Sequence, residues 1–549
     1  LLVLGLVAVI TLQHVSLYPA VSQDTPFAGV LNYEWKFLSA EERAAVEKSI
    51  EIIRHQRIKN VTLNIVDDSG KPYTGPVQIT QDSTSFVFMV GDSDWPVKGM
   101  QSEYIALTPS RSIYVYQPSW RYVQPTENAP IDFSYAQYDI NFKKMLGSTD
   151  IHLIVGPDFP PPGDVAAWSE TPPDWARSMS YLPFKEHLTT YVEALASRYK
   201  GIIGNYHLWD EANAEWSNRG WPMQQVVDII RTEALTIRNI DPDAKIYVDL
   251  TNVDPSSPRN SWTPGDFIQQ LLAASVPFDF VGLEAKYGAG LSNSIGGIDT
   301  LQSRLNQLAR FGKPIYLWEE GFPSFIEAKY RSTRNGWCCY FWHGLLPTEE
   351  RQAEYMLAEA IVTLADYPAV VAGVRFNWLA DQTDSPVFPF RYMGVIYDNG
   401  TRKDAFYALR NLWGNLTINT TVPSTSGVAA FSGLAGSYTV AAEGYRPIRI
   451  SVAEGATASF GLRLVPLLST TTSVTSSAMV TTTHSAATST HTGEISQVMN
   501  ALLTTPIGNI LLVALALTIT IAAAIVARSR IRRSSPQQNM KGSHASAGG

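Results

Sequence analysis

Asn205-Tyr-His-Leu-Trp-Asp-Glu-Ala-Asn-Ala-Glu-Trp216 and Lys313-Pro-Ile-Tyr-Leu-Trp-Glu-Glu-Gly-Phe-Pro323 share one design, an apolar strand that ends in a polar, glutamate-bearing stretch. Strands buried on both faces of a parallel sheet read as continuous apolar runs. In a parallel barrel the chemistry collects at the C-terminal ends of the strands. The interval between the two segments holds three βα steps, which places them on strands four and seven of an eight-stranded (β/α)₈ barrel.

The chain on either side keeps this rhythm. Ile151-His-Leu-Ile-Val155, Lys245-Ile-Tyr-Val-Asp249 and Phe278-Asp-Phe-Val-Gly282 read as strands, and residues 182–199 and 348–364 as helices. Such alternation is the order expected of an α/β chain with a parallel sheet. The barrel is predicted over residues 93–414. A small N-terminal β module is predicted over 45–92, on the strand beginning at Val61, the turn Asp67-Asp-Ser-Gly70 and two further strands up to Val90. Residues 416–466 change to short alternating runs with glycine turns, as in Gly436-Ser-Tyr-Thr-Val-Ala441, which predicts a small C-terminal β-sandwich. That segment resembles carboxypeptidase-regulatory-like modules and is expected to act as a spacer.

The two ends carry targeting signals. Leu1-Leu-Val-Leu-Gly-Leu-Val-Ala-Val-Ile-Thr-Leu12, followed by Ala20-Val-Ser22, resembles the apolar core and cleavage tail of a signal peptide over residues 1–22. Residues 467–505 are Ser/Thr-rich and hold few large apolar side chains, so they are expected to form an extended stalk. Residues 507–527 carry no charge, and at 1.5 Å per residue they cross about 30 Å of hydrocarbon. Arg528, Arg530, Arg532 and Arg533 open the tail 528–549, and a basic cluster marks the cytoplasmic side. The expected protein is a single-pass surface protein with its N-terminal bulk outside the cell. Asn60, Asn399, Asn415 and Asn419 stand in acceptor patterns for N-glycosylation.

The 549-residue chain has a formal net charge of −8 and only 17% charged residues, so it offers no basic surface for nucleic acid. Its 14 Trp and 25 Tyr suit a cleft that stacks flat apolar faces. No cofactor and no metal are expected. His207 has no second histidine at ligand spacing and is read as packing. Cys338 and Cys339 are the only cysteines. Neighbouring Cα atoms about 3.8 Å apart lie below the usual disulfide range, so a disulfide framework is not expected.

Trp209-Asp-Glu-Ala-Asn213 resembles the W-N-E-(A/P)-N that ends strand four in clan A, the superfamily of (β/α)₈ retaining glycoside hydrolases. Pro314-Ile-Tyr-Leu-Trp-Glu-Glu-Gly-Phe-Pro323 is similar to that superfamily's nucleophile strand, and the alignment selects Glu319 over Glu320. Other stretches resemble glycoside hydrolase family ten, the xylanase family. These are Trp120-Arg-Tyr-Val-Gln-Pro125 with Asp132-Phe-Ser134 as a strand-three motif, Pro173-Asp-Trp175, Arg198-Tyr-Lys-Gly201, and Phe376-Asn-Trp-Leu379 with Met393-Gly-Val-Ile-Tyr397 as strand eight and the closing stretch.

The resemblance covers about residues 45–414 and implies a polysaccharide substrate cleaved at β-glycosidic bonds, xylanase-like or β-glucanase-like. Glu211 would be the general acid/base and Glu319 the nucleophile of a double displacement. Asp210, Asn213, Tyr287, Trp378 and Trp120 would face substrate. Asp210 would either bind the sugar 2-hydroxyl or act on Glu211, Tyr287 would hydrogen-bond the nucleophile, and Trp378 would form a stacking floor. Glu215 is a competing acid/base, and Glu284 stands where the family has Gln.

Departures from the family fall at sugar-gripping positions. Tyr206 and His207 replace W-D, Ser119 replaces a Lys, and Val155-Gly-Pro-Asp-Phe-Pro160 replaces a histidine-bearing segment. They leave open a second function, a non-catalytic glycan-binding surface protein with a degenerate barrel.

Overall fold

The computed structural model describes residues 33–467 apart from 92–98, 116–117, 135, 137–139, 142–149, 158, 160–170, 216, 252–260, 285–296, 328–344, 384–390 and 456. The expected signal segment 1–22, the stalk beyond Leu467, the apolar segment 507–527, the tail 528–549, Tyr287, Cys338 and Cys339 lie outside the described residues. Among the described residues no helix is long and apolar enough to cross a membrane.

Eight parallel strands form the barrel sheet. In chain order they are β3 (Val87–Val90), β4 (Ser112–Val115), β5 (Asp150–Gly156), β6 (Asn205–Leu208), β7 (Lys245–Thr251), β8 (Phe280–Glu284), β9 (Ile315–Glu320) and β10 (Val371–Phe376). Each pairs with its successor from β4 to β10, and β10 returns to pair with β3. Between β3 and β4 the closure is carried by a side chain. Ser110 Oγ accepts from Phe88 N at 3.2 Å and donates to Phe88 O at 3.0 Å, standing in for one ladder pair.

The helices supply the outer layer: α1 (Ala40–Ile52), α2 (Gln101–Leu107), α3 (Tyr181–Tyr199), α4 (Met223–Ile240), α5 (Pro264–Ala273), α6 (Ile298–Ala309), α7 (Glu349–Asp366) and α8 (Asp404–Leu416). The starts of α1 and α5 follow capping chemistry. Ser39 and Glu42 form a reciprocal capping box on α1, and Thr263 caps α5 with Pro264 in its first turn. Glu354 on α7 accepts from the backbone N–H groups of Lys36, Phe37 and Leu38 at 2.7–2.8 Å, which ties the N-terminal segment to the barrel wall.

Strand residues alternate between two cores. Ile315 and Leu317 join the large core shared with the helices. Tyr316 and Trp318 join a separate cluster with Met89, Tyr114, Ile154 and Tyr247, which fills the barrel lumen.

The flanking β segments differ from the two modules expected at 45–92 and 416–466. β1 (Ile58–Val66) lies between β12 (Val428–Leu434) and β15 (Ala458–Arg463). β2 (Gly75–Thr84) lies between β11 (Asn419–Ser424) and β13 (Gly436–Ala442), with β14 (Ile448–Val452) beside β13. The segments on either side of the barrel therefore build one sandwich. Val61, Leu63 and Ile65 from the front meet Phe431, Tyr438, Val440 and Leu462 from the back in a single core. Two hairpin-sized strands have no facing sheet of their own on which to bury those side chains. The strand Val87–Val90, expected in the lead-in, is instead the first strand of the barrel.

Candidate active site

Strand order settles where the two glutamate motifs stand. β6 is the fourth barrel strand and Glu211 follows it; β9 is the seventh and carries Glu319. The backbone leaves β6 through two left-handed residues, Trp209 at φ 38° and Glu211 at φ 50°. Non-glycine residues seldom adopt this region unless their surroundings hold them there, and such residues collect at functional sites. The hold is visible. Trp209 is fully buried and its indole donates to Ser217 at 3.2 Å, while Ser217 Oγ donates to Asp210 O.

Asn213 spends its amide on the framework. Its Nδ2 donates to Thr251 O and Trp262 O at 2.8 Å, and its Oδ1 accepts from Thr251 N at 2.9 Å. It pins the loop after β6 to the end of β7, and these bonds leave it a scaffold position rather than a sugar contact.

Across the lumen, β9 is bulged. Leu317 pairs with Leu283 and Glu319 with Glu284, so Trp318 and Glu319 together oppose a single step of β8. A bulge breaks the strict alternation of faces. It lets Trp318 belong to the lumen cluster while Glu319, next in sequence, also approaches lumen groups. The motifs meet directly, since Trp318 Nε1 donates to Asp210 Oδ1 at 3.1 Å. Of the adjacent glutamates, Glu319 keeps 6% exposure and Glu320 none. Glu211 is half-buried, and Glu215, also half-buried, has its N–H bound by Ser261 Oγ at 2.9 Å. Glu284 is buried beside Glu319.

Trp378 follows strand eight after a cis Asn377–Trp378 peptide and is 8% exposed beside the site. Trp120 lies elsewhere than the strand-three comparison implies. It opens a short helix after β4, the second strand, and is buried against Tyr191, Trp175 and Phe184 with its indole donating to Gln124 at 2.9 Å. Those contacts make it part of the helix-facing core.

Sequence reading missed the polar filling of the lumen. His152 Nδ1 lies 3.0 Å from His207 Nε2, and His207 Nδ1 lies 3.0 Å from Asp249 Oδ2. Burial pushes His207 well down, reinforced by Arg375, and pushes Asp249 well up, reinforced by Glu319. Both groups are thereby driven to their neutral forms. Arg375, fully buried in β10, places Nη1 3.7 Å from Glu319 Oε1. The available signal was a polar residue at alternate positions of strands otherwise read as apolar, as in Asp150/His152, Asn205/His207 and Tyr247/Asp249.

Comparison with known proteins finds a likeness over the same region. The sequence model described as Glycosyl hydrolase family 10 matches residues 162–335, a span that holds both glutamate motifs. An endo-1,4-beta-xylanase of Agaricus bisporus is 22% identical over 165 residues, 29% of this chain and 47% of that relative; the match thus spans about half the relative's length. Among solved structures, xylanase 10B from Thermotoga maritima is 16% identical at TM-score 0.44, covering 60% of this chain and 94% of that one. A family 10 xylanase of Thermobacillus composti is 19% identical at TM-score 0.44, covering 60% and 97%.

Proposed function

We propose that this divergent family-ten-like barrel is a retaining glycoside hydrolase acting on β-glycosidic bonds of a polysaccharide, of xylan or β-glucan type. The observation that carries the reading is the hydrogen bond from Trp318 to Asp210, which couples the residues next to Glu319 and Glu211 across the lumen. In the double displacement, Glu319 attacks the anomeric carbon as Glu211 protonates the leaving oxygen. Glu211 then withdraws a proton from water, which displaces Glu319 and restores the original anomeric configuration. The retaining geometry calls for carboxyl groups about 5–5.5 Å apart. Asp210, held by Trp318, would set the position of Glu211, and Trp378 would supply a stacking surface for the sugar.

Export by residues 1–22 and anchoring by 507–527 belong to the same proposal and place the barrel outside the cell, where polymeric substrate is met. Asn60, Asn399 and Asn419 are exposed, as glycan attachment there requires. A second reading, a glycan-binding surface protein without turnover, is favoured by the departures at Ser119, Tyr206 and His207, of which all three are buried.

Release of reducing sugar by the full chain from xylan, β-glucan, mannan and cellulose separates the two. Glu319→Gln should abolish release. Glu211→Gln should lower it on the order of 10²–10⁴-fold and be partly rescued by azide. Binding of a polymer without release by the wild type would establish the second reading. Activity untouched by Glu319→Gln would overturn the assignment of the pair.

A further inference from the structure

Arg375 is the penultimate residue of β10, whose other residues Val371, Ala372, Gly373, Val374 and Phe376 are apolar or side-chain-less, and it has no exposure. Its guanidinium is walled by three aromatic rings, with centroids at 4.5 Å for Trp318, 4.6 Å for Tyr114 and 5.2 Å for Trp378. Nη1 donates to Trp318 O at 3.1 Å and lies 3.7 Å from Glu319 Oε1. Ring faces attract a cation but do not neutralise it, and a guanidinium withdrawn from water needs an anion close by.

The groups that face this charge narrow the choice of anion. From β7, Asp249 is bound to His207 and pushed towards its neutral form, first by burial and then by Glu319 itself. From β5 and β6, His152 and His207 are both pushed down by burial and add no cation. Asp150 opens β5, bound to His152 and Asn205. Tyr316 and Tyr247 are pushed up by burial and stay uncharged. Asp210 is engaged by the Trp318 indole, Glu284 is the neighbour of Glu319 on β8, and Glu320 is the next residue on β9, with Glu211 across the lumen mouth. At 3.7 Å Glu319 makes the ion-pair contact with Arg375.

We infer that Arg375 is a positioning residue that holds the Glu319 carboxylate ionised and aimed, and so sets the acidic limb of the activity profile. The inference rests on Glu319 being the nucleophile. A guanidinium keeps its charge at every working pH, so this hold does not itself titrate. An opposite charge at such a distance lowers a carboxyl pKa by about 1–3 units, and its removal raises it by the same amount.

The test reads the charge of Glu319 with and without turnover. The full chain is labelled with [5-¹³C]glutamate, and the Glu319 resonance is identified as the one missing in Glu319→Gln. In Arg375→Met the midpoint of that resonance should rise by about one unit or more. The acidic limb of kcat/KM on an aryl β-xyloside should rise alike, with kcat falling more than KM changes. Arg375→Lys should lie between wild type and Met. An unmoved midpoint in an Arg375→Met protein that melts cooperatively overturns the inference. Should that variant not fold, an unmoved midpoint in the equally uncharged Arg375→Gln overturns it. Failure of the catalytic reading shows separately, as full activity in Glu319→Gln, and the resonance still decides whether Arg375 governs the charge of Glu319.

Discussion

Trp378 can lie where it does because residue 91 has no side chain. A Cβ at Gly91 would meet Trp378 Cε3 at 2.5 Å and an Arg375 nitrogen at 3.4 Å. Gly91 is also tied to the segment after strand eight, receiving the N–H of Leu379 at 2.8 Å. Gly91→Ala is therefore expected to displace the indole and lower kcat/KM by about tenfold or more, since small misplacements in a site are costly. Steady-state kinetics beside a melting curve checks this, and unchanged kinetics would remove Trp378 from the site. At this scale the placing of Glu211 and Glu319 at strand ends was legible, because each is a carboxylate framed by residues that announce a strand end. Arg375, His152 and Asp249 were not. Their importance lies in which side chains face them, and one strand does not reveal its neighbours across a lumen.

Elements show how local chemistry is tied to the site. Lys403, the residue preceding α8, buries its ammonium against Asp381 Oδ1 at 2.7 Å, Ser324 Oγ at 2.8 Å and Gly394 O at 2.8 Å. This joins the loop after β9, the loop after β10 and the start of the last helix. Burial raises Asp381 to about 6, with the Lys403 charge opposing the rise. A raised carboxyl holds in the folded state a proton that the unfolded chain has released. Its contribution to stability is thus full below about pH 4 and is lost as pH climbs through about 6. Lys403→Met strands the carboxylate. Unfolding by urea should show a loss of about 3–5 kcal/mol at pH 8 and a smaller loss at pH 5, where Asp381 takes up a proton. An equal loss at both pH values would mean that packing rather than charge is at stake. Strand and helix placement was legible here: the runs read at 151–155, 245–249 and 182–199 fall within β5, β7 and α3. The bulge in β9 was not, because it is a mismatch between two strands.

At the scale of the whole molecule, the strands before and after the barrel share a core. Ending the protein at Leu416 would remove β11–β15 and expose Val61, Leu63, Ile65, Val77 and Ile79, all buried in the sandwich. Such a truncation is expected to aggregate, or to be cut by protease within residues 58–84, while the barrel strands resist. Two independent modules would predict no such sensitivity, so intact residues 58–84 in a soluble truncate would contradict the shared core. β2 ends three residues before β3, and there Thr84 N–H bonds Pro109 O at 3.0 Å.

By itself the sequence determined the parallel βα rhythm, the placing of the two glutamates three βα steps apart and the likeness to family ten. All of these rest on local periodicity and residue type, which neighbouring positions specify. Tertiary structure alone decided that the flanking strands form one sandwich, that Trp120 belongs to the helix-facing core, and that a buried arginine underlies Glu319. Each of these depends on partners distant in sequence, and nothing local to a strand says which sheet, which face or which counter-charge will complete it.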